Sequence, residues 1–181
     1  MSRIAIPTRE AAPAASQPLL DAVNKQLGVV PNLFRLVSLS PAVLQGYIGL
    51  NGALTKVLDV RTRERIALAV AQVNGCDYCL SAHTYLGLNL AKIDGAEIAL
   101  NRQGASSDPK AAAAVGFAVA VARAHGKVND ADIEAVKAAG FSDAQIVEIV
   151  AVVAENVLTN FVNNVAETDI DFPIVRAADE G

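Results

Sequence analysis

Both cysteines of this chain fall in one ten-residue window, Asn74-Gly75-Cys76-Asp77-Tyr78-Cys79-Leu80-Ser81-Ala82-His83, and one of its two histidines closes that window. Two thiols three residues apart in a chain without other cysteines are a signal in themselves. In a reducing compartment such a pair is more often redox-active or metal-binding than a structural disulfide. On a helix, Cys79 and His83 share a face, so the imidazole can reach the thiol. Cys76 lies one turn before Cys79, within reach of a disulfide. Gly75 places the pair at a helix start, where unsatisfied N–H groups favour thiolate over thiol. A thiol with an adjacent base and a second thiol in reach has the parts of a redox nucleophile.

Glu64 is the fourth member. It precedes Gly75 by eleven residues, and His83 follows it by eight. Two helices folding back at Gly75 would put these residues roughly 16 and 12 Å from the turn, at similar heights on facing helices. A carboxylate there can orient the imidazole and exchange a proton with it, while Arg63 and Arg65 point to other faces. Three other readings stay open from the residues alone. The thiols could be small buried packing residues. Cys76, Cys79, His83 and Glu64 could ligate zinc. Glu64 could be a surface charge paired with Arg61 or Arg65. A c-type haem attachment fails because Leu80, not histidine, follows the second cysteine.

The elements that must position these residues read as helices. Alanine, the best helix former, outnumbers every other residue type, and no stretch alternates with period two for long enough to demand a strand. Gln17 opens the first helix, and Gly28-Val29-Val30-Pro31 breaks the chain before a short helix carrying Leu33, Phe34, Leu36 and Val37. Ser40-Pro41 is an N-cap with proline at the first helical position, opening a helix to about Leu58. Helices then follow from about Thr62 to Asn74, from near Cys76 to Gly87, and over Ile93–Asn101. Asp108-Pro109 starts an alanine-rich helix ending near Gly126, and Asn129 caps a segment closing at Gly140. Ser142 with Gln145 is a capping box for a long helix to about Val165. The expected fold is all-α: a compact helical bundle with its site at a helical hairpin. Residues 1–15, rich in Pro and Ala, form an arm on the surface or across a neighbouring subunit, and residues 16–181 form one domain.

Composition narrows the function. The 181 residues are 52% hydrophobic with 4% aromatics, no Trp and a net charge of −4. Acidic charge and few aromatics argue against nucleic acid as a partner. No signal peptide and no membrane span are expected, because Glu148 and Glu155 interrupt the Ile146–Leu158 stretch and Arg123 ends the Ala111–Ala122 run. The expected location is the cytoplasm, with the surplus apolar surface in an oligomer interface. Asn156, Asn160 and Asn164, spaced by four, form a polar stripe for a subunit contact or a buried network.

Glu64, twelve residues to Cys76, then Cys-x-x-Cys-x-x-x-His resembles the core motif of the alkylhydroperoxidase AhpD-like branch of the carboxymuconolactone decarboxylase family. Leu68-Ala69-Val70-Ala71-Gln72-Val73-Asn74-Gly75-Cys76 is similar too. Gly28-Val29-Val30-Pro31-Asn32-Leu33-Phe34 and the Asn156–Phe172 stretch resemble the peroxidase-related subgroup. The resemblance implies an all-helical homotrimer or homohexamer acting without a cofactor. Its implied activity is reduction of a small hydroperoxide at the expense of an external dithiol. By position it implies Cys79 as the peroxidatic thiol, Cys76 as its resolving partner, His83 as base and Glu64 as relay. Tyr78 stands where the family's best-known peroxidases have histidine. A phenol relays protons poorly near pH 7, which favours Tyr78 as a pocket wall over a relay. Two rival functions are a carboxymuconolactone-decarboxylase-like acid/base enzyme, which needs no cysteine pair, and a disulfide-exchange or redox-sensing module.

Overall fold

The computed structural model describes residues 2–177, and residues 178–181 of the expected domain lie outside the described residues. Nine helices and no strand occur among the described residues: α1 Gln17–Leu27, α2 Asn32–Val37, α3 Pro41–Leu54, α4 Val60–Val73, α5 Asp77–Asn89, α6 Gly95–Arg102, α7 Pro109–Arg123, α8 Asp130–Ala138 and α9 Asp143–Ala166. The caps account for most boundaries. Ser40, Asp108 and Ser142 accept hydrogen bonds from Val43, Ala111 and Gln145, and Asn129 and Ser142 both form full capping boxes. Gly28 ends α1 in the left-handed conformation at φ 76°. Several boundaries differ from expectation by a few residues, and two of them have a plain cause. Helix α3 stops at Leu54 because the chain turns through 55–58 and Asp59 becomes the N-cap of α4, accepting from Thr62. Helix α6 starts at Gly95 because Asp94 caps it.

Helix α4 is the axis of the fold, packing against α5, α6, α7 and α9. Ile66 through Ala71 are buried without a break, so the second half of this helix is apolar on nearly every side. Its alanines, with Ala114 and Ala118 of α7, let the two backbones approach closely. Leu68, Val70 and Ile66 then fill the remaining space at about 1.5–3 kcal/mol each. One core cluster joins α4 to α7, α8 and α9 through residues such as Phe117, Val136 and Ile149. A second joins α4 to α1, α2, α3 and α5, and it contains both cysteines.

Segments distant in sequence clamp that second cluster. Arg3 N–H donates to the Ala166 carbonyl at 2.7 Å, so residues 2–15 run over this chain's own surface. Residues 168–177 cross the start of α5: Ala177 N–H donates to Asp77 Oδ1 at 2.8 Å, and Val175 N–H to Ser81 Oγ at 2.9 Å. By length and hydropathy alone α9 could cross a membrane, contrary to the reading of its acids as interruptions. Here one face of α9, with Ile146, Ile149, Val152 and Val153, is part of the protein core. Its opposite face carries exposed Val147, Val150, Leu158, Phe161 and Val165.

Candidate active site

Gly75, at φ 60°, turns the chain between α4 and α5, a backbone shape that costs glycine nothing. The two helices then pack side by side, and Glu64 Oε2 meets His83 Nδ1 at 2.8 Å. Neither arginine suggested as a surface partner for Glu64 takes it. Arg61 donates to the carbonyls of Ala91 and Lys92, and Arg65 pairs with Glu97 at 3.1 Å. Glu64 is 7% exposed, so its charge acts at short range on an imidazole whose side chain is 22% exposed. Burial alone would lower the His83 pKa. The charge and hydrogen bond of Glu64 outweigh it, helped by Cys79 and Glu155, and the net shift is upward.

The two thiols occupy different positions. Cys76 is the N-cap of α5, wholly buried, and its sulfur accepts Cys79 N–H at 3.3 Å. The amide at the helix start therefore serves Cys76 rather than Cys79. Cys79 gains its stabilisation from side chains instead. Burial raises its pKa, but the Cys76 thiol, the charge of His83 and the amides of Asn163 and Asn160 outweigh burial and bring it to about 7. Asn163 Nδ2 donates to the sulfur at 3.3 Å. The hydrogen bond to Cys79, with burial, pushes the Cys76 thiol up. One thiol is thus poised as an anion and its neighbour as a proton-bearing thiol.

A cavity of about 260 Å³ opens onto Cys79 and not onto Cys76. Leu33, Phe34, Tyr47, Leu86 and Phe172 make its walls apolar, while Glu64, His83, Arg63 and Glu155 supply its charge. Tyr78 also lines it, with its ring edge-on to Phe172 at 5.9 Å. The Tyr78 hydroxyl donates to Asp171 at 2.8 Å and accepts from Leu33 N–H at 3.1 Å. It is committed to holding α2, α5 and the 168–177 segment together, and burial pushes its pKa up.

Sequence reading missed Asn163, Glu155 and Arg63. The stripe Asn156, Asn160, Asn164 marks the right helix and reaches the site in part, since Asn156 lines the cavity and the Asn160 amide lowers the Cys79 pKa. Asn160 is buried and accepts from Asn74 at 2.8 Å, whereas Asn164 is exposed and donates to the Asn74 carbonyl. The residues facing the site include Glu155, Thr159 and Asn163, also four apart. Arg63 was expected on another face, yet it lines the cavity while its Nε donates to the Leu58 carbonyl. Among the described residues no group of three or more His, Cys, Asp or Glu side chains is arranged to hold a metal ion, so the zinc alternative finds no ligand set there.

The sequence pattern of the carboxymuconolactone decarboxylase family matches residues 41–124, which run from α3 through the Cys-x-x-Cys segment to the end of α7. That segment is a carboxymuconolactone decarboxylase domain, and the fold around it is AhpD-like. The chain is 29% identical to an uncharacterized peroxidase-related protein with an alkylhydroperoxidase AhpD core from Ralstonia eutropha JMP134. That likeness covers 94% of this chain and 92% of the other, with a TM-score of 0.81. The fold is shared with the debrominase Bmp8, at 17% identity over 94% of each chain and a TM-score of 0.77. An uncharacterized Haemophilus influenzae protein is 51% identical over 45 residues, which are 24% of this chain and 40% of that protein. The chain therefore matches less than half the length of that relative.

Proposed function

We propose that this protein is a thiol-dependent hydroperoxide reductase in which Cys79 attacks the peroxide and Cys76 resolves the product. The observation that carries this reading is the asymmetry of the thiols. The one opening to the cavity is held near pKa 7, and the buried one next to it keeps its proton. The Cys79 thiolate attacks the outer oxygen of the hydroperoxide, breaking the O–O bond and becoming a sulfenic acid. Cys76 then condenses with it, giving the disulfide and water, and an external dithiol restores both thiols. His83 keeps Cys79 ionised, and Glu64 orients the imidazole and favours its charged form. The likeness to the peroxidase-related Ralstonia protein with its AhpD core supports this chemistry. Burial of both sulfurs favours a small oxidant over a protein disulfide as the first substrate.

Such chemistry suits the cytoplasm, where dithiol donors keep the pair reduced. The exposed apolar side of α9 suits a homotrimer or homohexamer contact. The test of the activity is peroxide consumption with a dithiol donor by wild type, Cys79→Ser and Cys76→Ser. Cys79→Ser should be inactive. Cys76→Ser should reduce one equivalent of peroxide and stop as a sulfenic acid. Turnover by Cys79→Ser would refute the assignment.

A further inference from the structure

We propose that Glu155 is the acid that protonates the leaving oxygen when Cys79 attacks a hydroperoxide. The step rests on the peroxidase reading, which does not by itself assign the group that protonates the alkoxide. Glu155 projects from the middle of α9 into the cavity that Cys79 opens onto, and it is 7% exposed. Its Oε1 is buried with no hydrogen-bond partner. Leaving a buried polar atom unpaired costs about 1–3 kcal/mol, so a ligand that satisfies it is favoured there.

The groups facing Glu155 come from three helices: Asn51 of α3, Arg63 and Glu64 of α4, and His83 of α5. Burial raises its pKa, against the hydrogen bond from Asn51 and the charges of His83 and Arg63, and the net shift is upward. A carboxyl with that balance can carry a proton in a closed site and still give it up.

The other proton-bearing groups have different commitments. The charge on His83 steadies the Cys79 thiolate, and its Nδ1 is held in the hydrogen bond to Glu64. The Tyr78 hydroxyl points to Asp171. The Cys76 proton leaves in the water formed when the disulfide closes. Glu155 lies eight residues before Asn163 on one face of α9, a rise of about 12 Å. Asn163 holds the sulfur at one end. The inner oxygen of a hydroperoxide is one bond from the oxygen at Cys79, so the Glu155 proton reaches it through a water in the cavity that both residues line.

The step balances. The Cys79 thiolate takes the OH of ROOH, the O–O electron pair leaves on RO⁻, and the Glu155 carboxyl gives RO⁻ its proton, leaving sulfenic acid, ROH and carboxylate. The sulfur is oxidised by two electrons and the peroxide reduced by two. When the external dithiol reduces the disulfide, one of its two protons returns to Glu155 and the other to Cys76.

The test compares an alkyl hydroperoxide, whose alkoxide needs a proton, with a peracid, whose carboxylate leaving group does not at neutral pH. Because both are measured on the same protein, their kcat/KM ratio cancels changes in fold or in Cys79 ionisation. Glu155→Gln should lower kcat/KM for the alkyl hydroperoxide on the order of 10²-fold, the low end of general acid catalysis, and leave the peracid within about threefold. Should the Gln variant not fold, Glu155→Asp is measured in the same way and should shift the ratio in the same direction by less. An unchanged ratio overturns the assignment while leaving the peroxidase standing. A wild-type protein that consumes neither oxidant overturns the peroxidase reading and this step with it.

Discussion

Asn163 provides the sharpest test of how the site activates its thiol. Its Nδ2 donates to the Cys79 sulfur at 3.3 Å from a buried position, while its own Oδ1 has no partner. Asn163→Leu keeps the branched shape, removes the donor and removes that unsatisfied acceptor too, so the fold should survive. A hydrogen bond to a charged group is worth about 1.5–3 kcal/mol. At about 1.4 kcal/mol per pKa unit, losing it should move Cys79 up from about 7 by roughly one to two units. At pH 7 the thiolate fraction would fall from about a half to between roughly a tenth and a hundredth. Peroxide consumption at that pH should drop about five- to fiftyfold. The sign reverses the deficit at high pH. Once the variant thiol is fully ionised it is the more basic nucleophile and should match or exceed wild type. Thiolate absorbance and the rate of alkylation, both followed against pH in a Cys76→Ser background, read the titration directly. An unmoved midpoint would refute the reasoning, and so would a deficit that persists once the variant thiol is fully ionised.

Tyr78→Phe should lower thermal stability by about 1–3 kcal/mol, because Leu33 N–H and Asp171 lose a buried partner, while leaving kcat nearly unchanged; a large loss of kcat with full stability would instead make the phenol a relay. Glu64→Gln should keep the fold and the Cys76–Cys79 disulfide but slow turnover on the order of tenfold to a hundredfold, since the amide orients His83 without raising its pKa; equal rates would remove Glu64 from the site. Phe161→Glu, on the exposed face of α9, should convert a trimer or hexamer to smaller species in sedimentation, and a wild-type monomer at micromolar concentration would dismiss the oligomer altogether.

Most helix starts were legible because caps are local chemistry: Ser40-Pro41, Asp108-Pro109, Asn129 and Ser142 each sit where a single side chain satisfies an orphan amide. The end of α3 was not legible, since no Gly or Pro marks residues 55–58 and only the capping role of Asp59 decides it. Glu64 and His83 could be paired from the sequence because both are measured from the same turn at Gly75. Asn163 and Glu155 have no such common origin. Their approach depends on how α9 is rotated about its axis, and a helix rich in valine on several faces does not declare that angle. A signal was present in Glu155, an acid inside an apolar run, but it read as an interruption rather than as a group the fold buries.

The clamp formed by residues 168–177 and the amides of α9 make the surroundings of Cys79 a late product of folding. Tyr78, Asp77 and Ser81 find their partners at Asp171, Ala177 and Val175, more than ninety residues further along the chain. The amides that stabilise the Cys79 anion come from Asn160 and Asn163, comparably distant. Contacts this non-local form slowly, because the loop between them must close first. During synthesis Cys76 and Cys79 leave the ribosome long before any of these groups exist, as ordinary thiols with pKa values near 8.5. On the proposed reading, Cys79 gains its lowered pKa only when the last helix is in place.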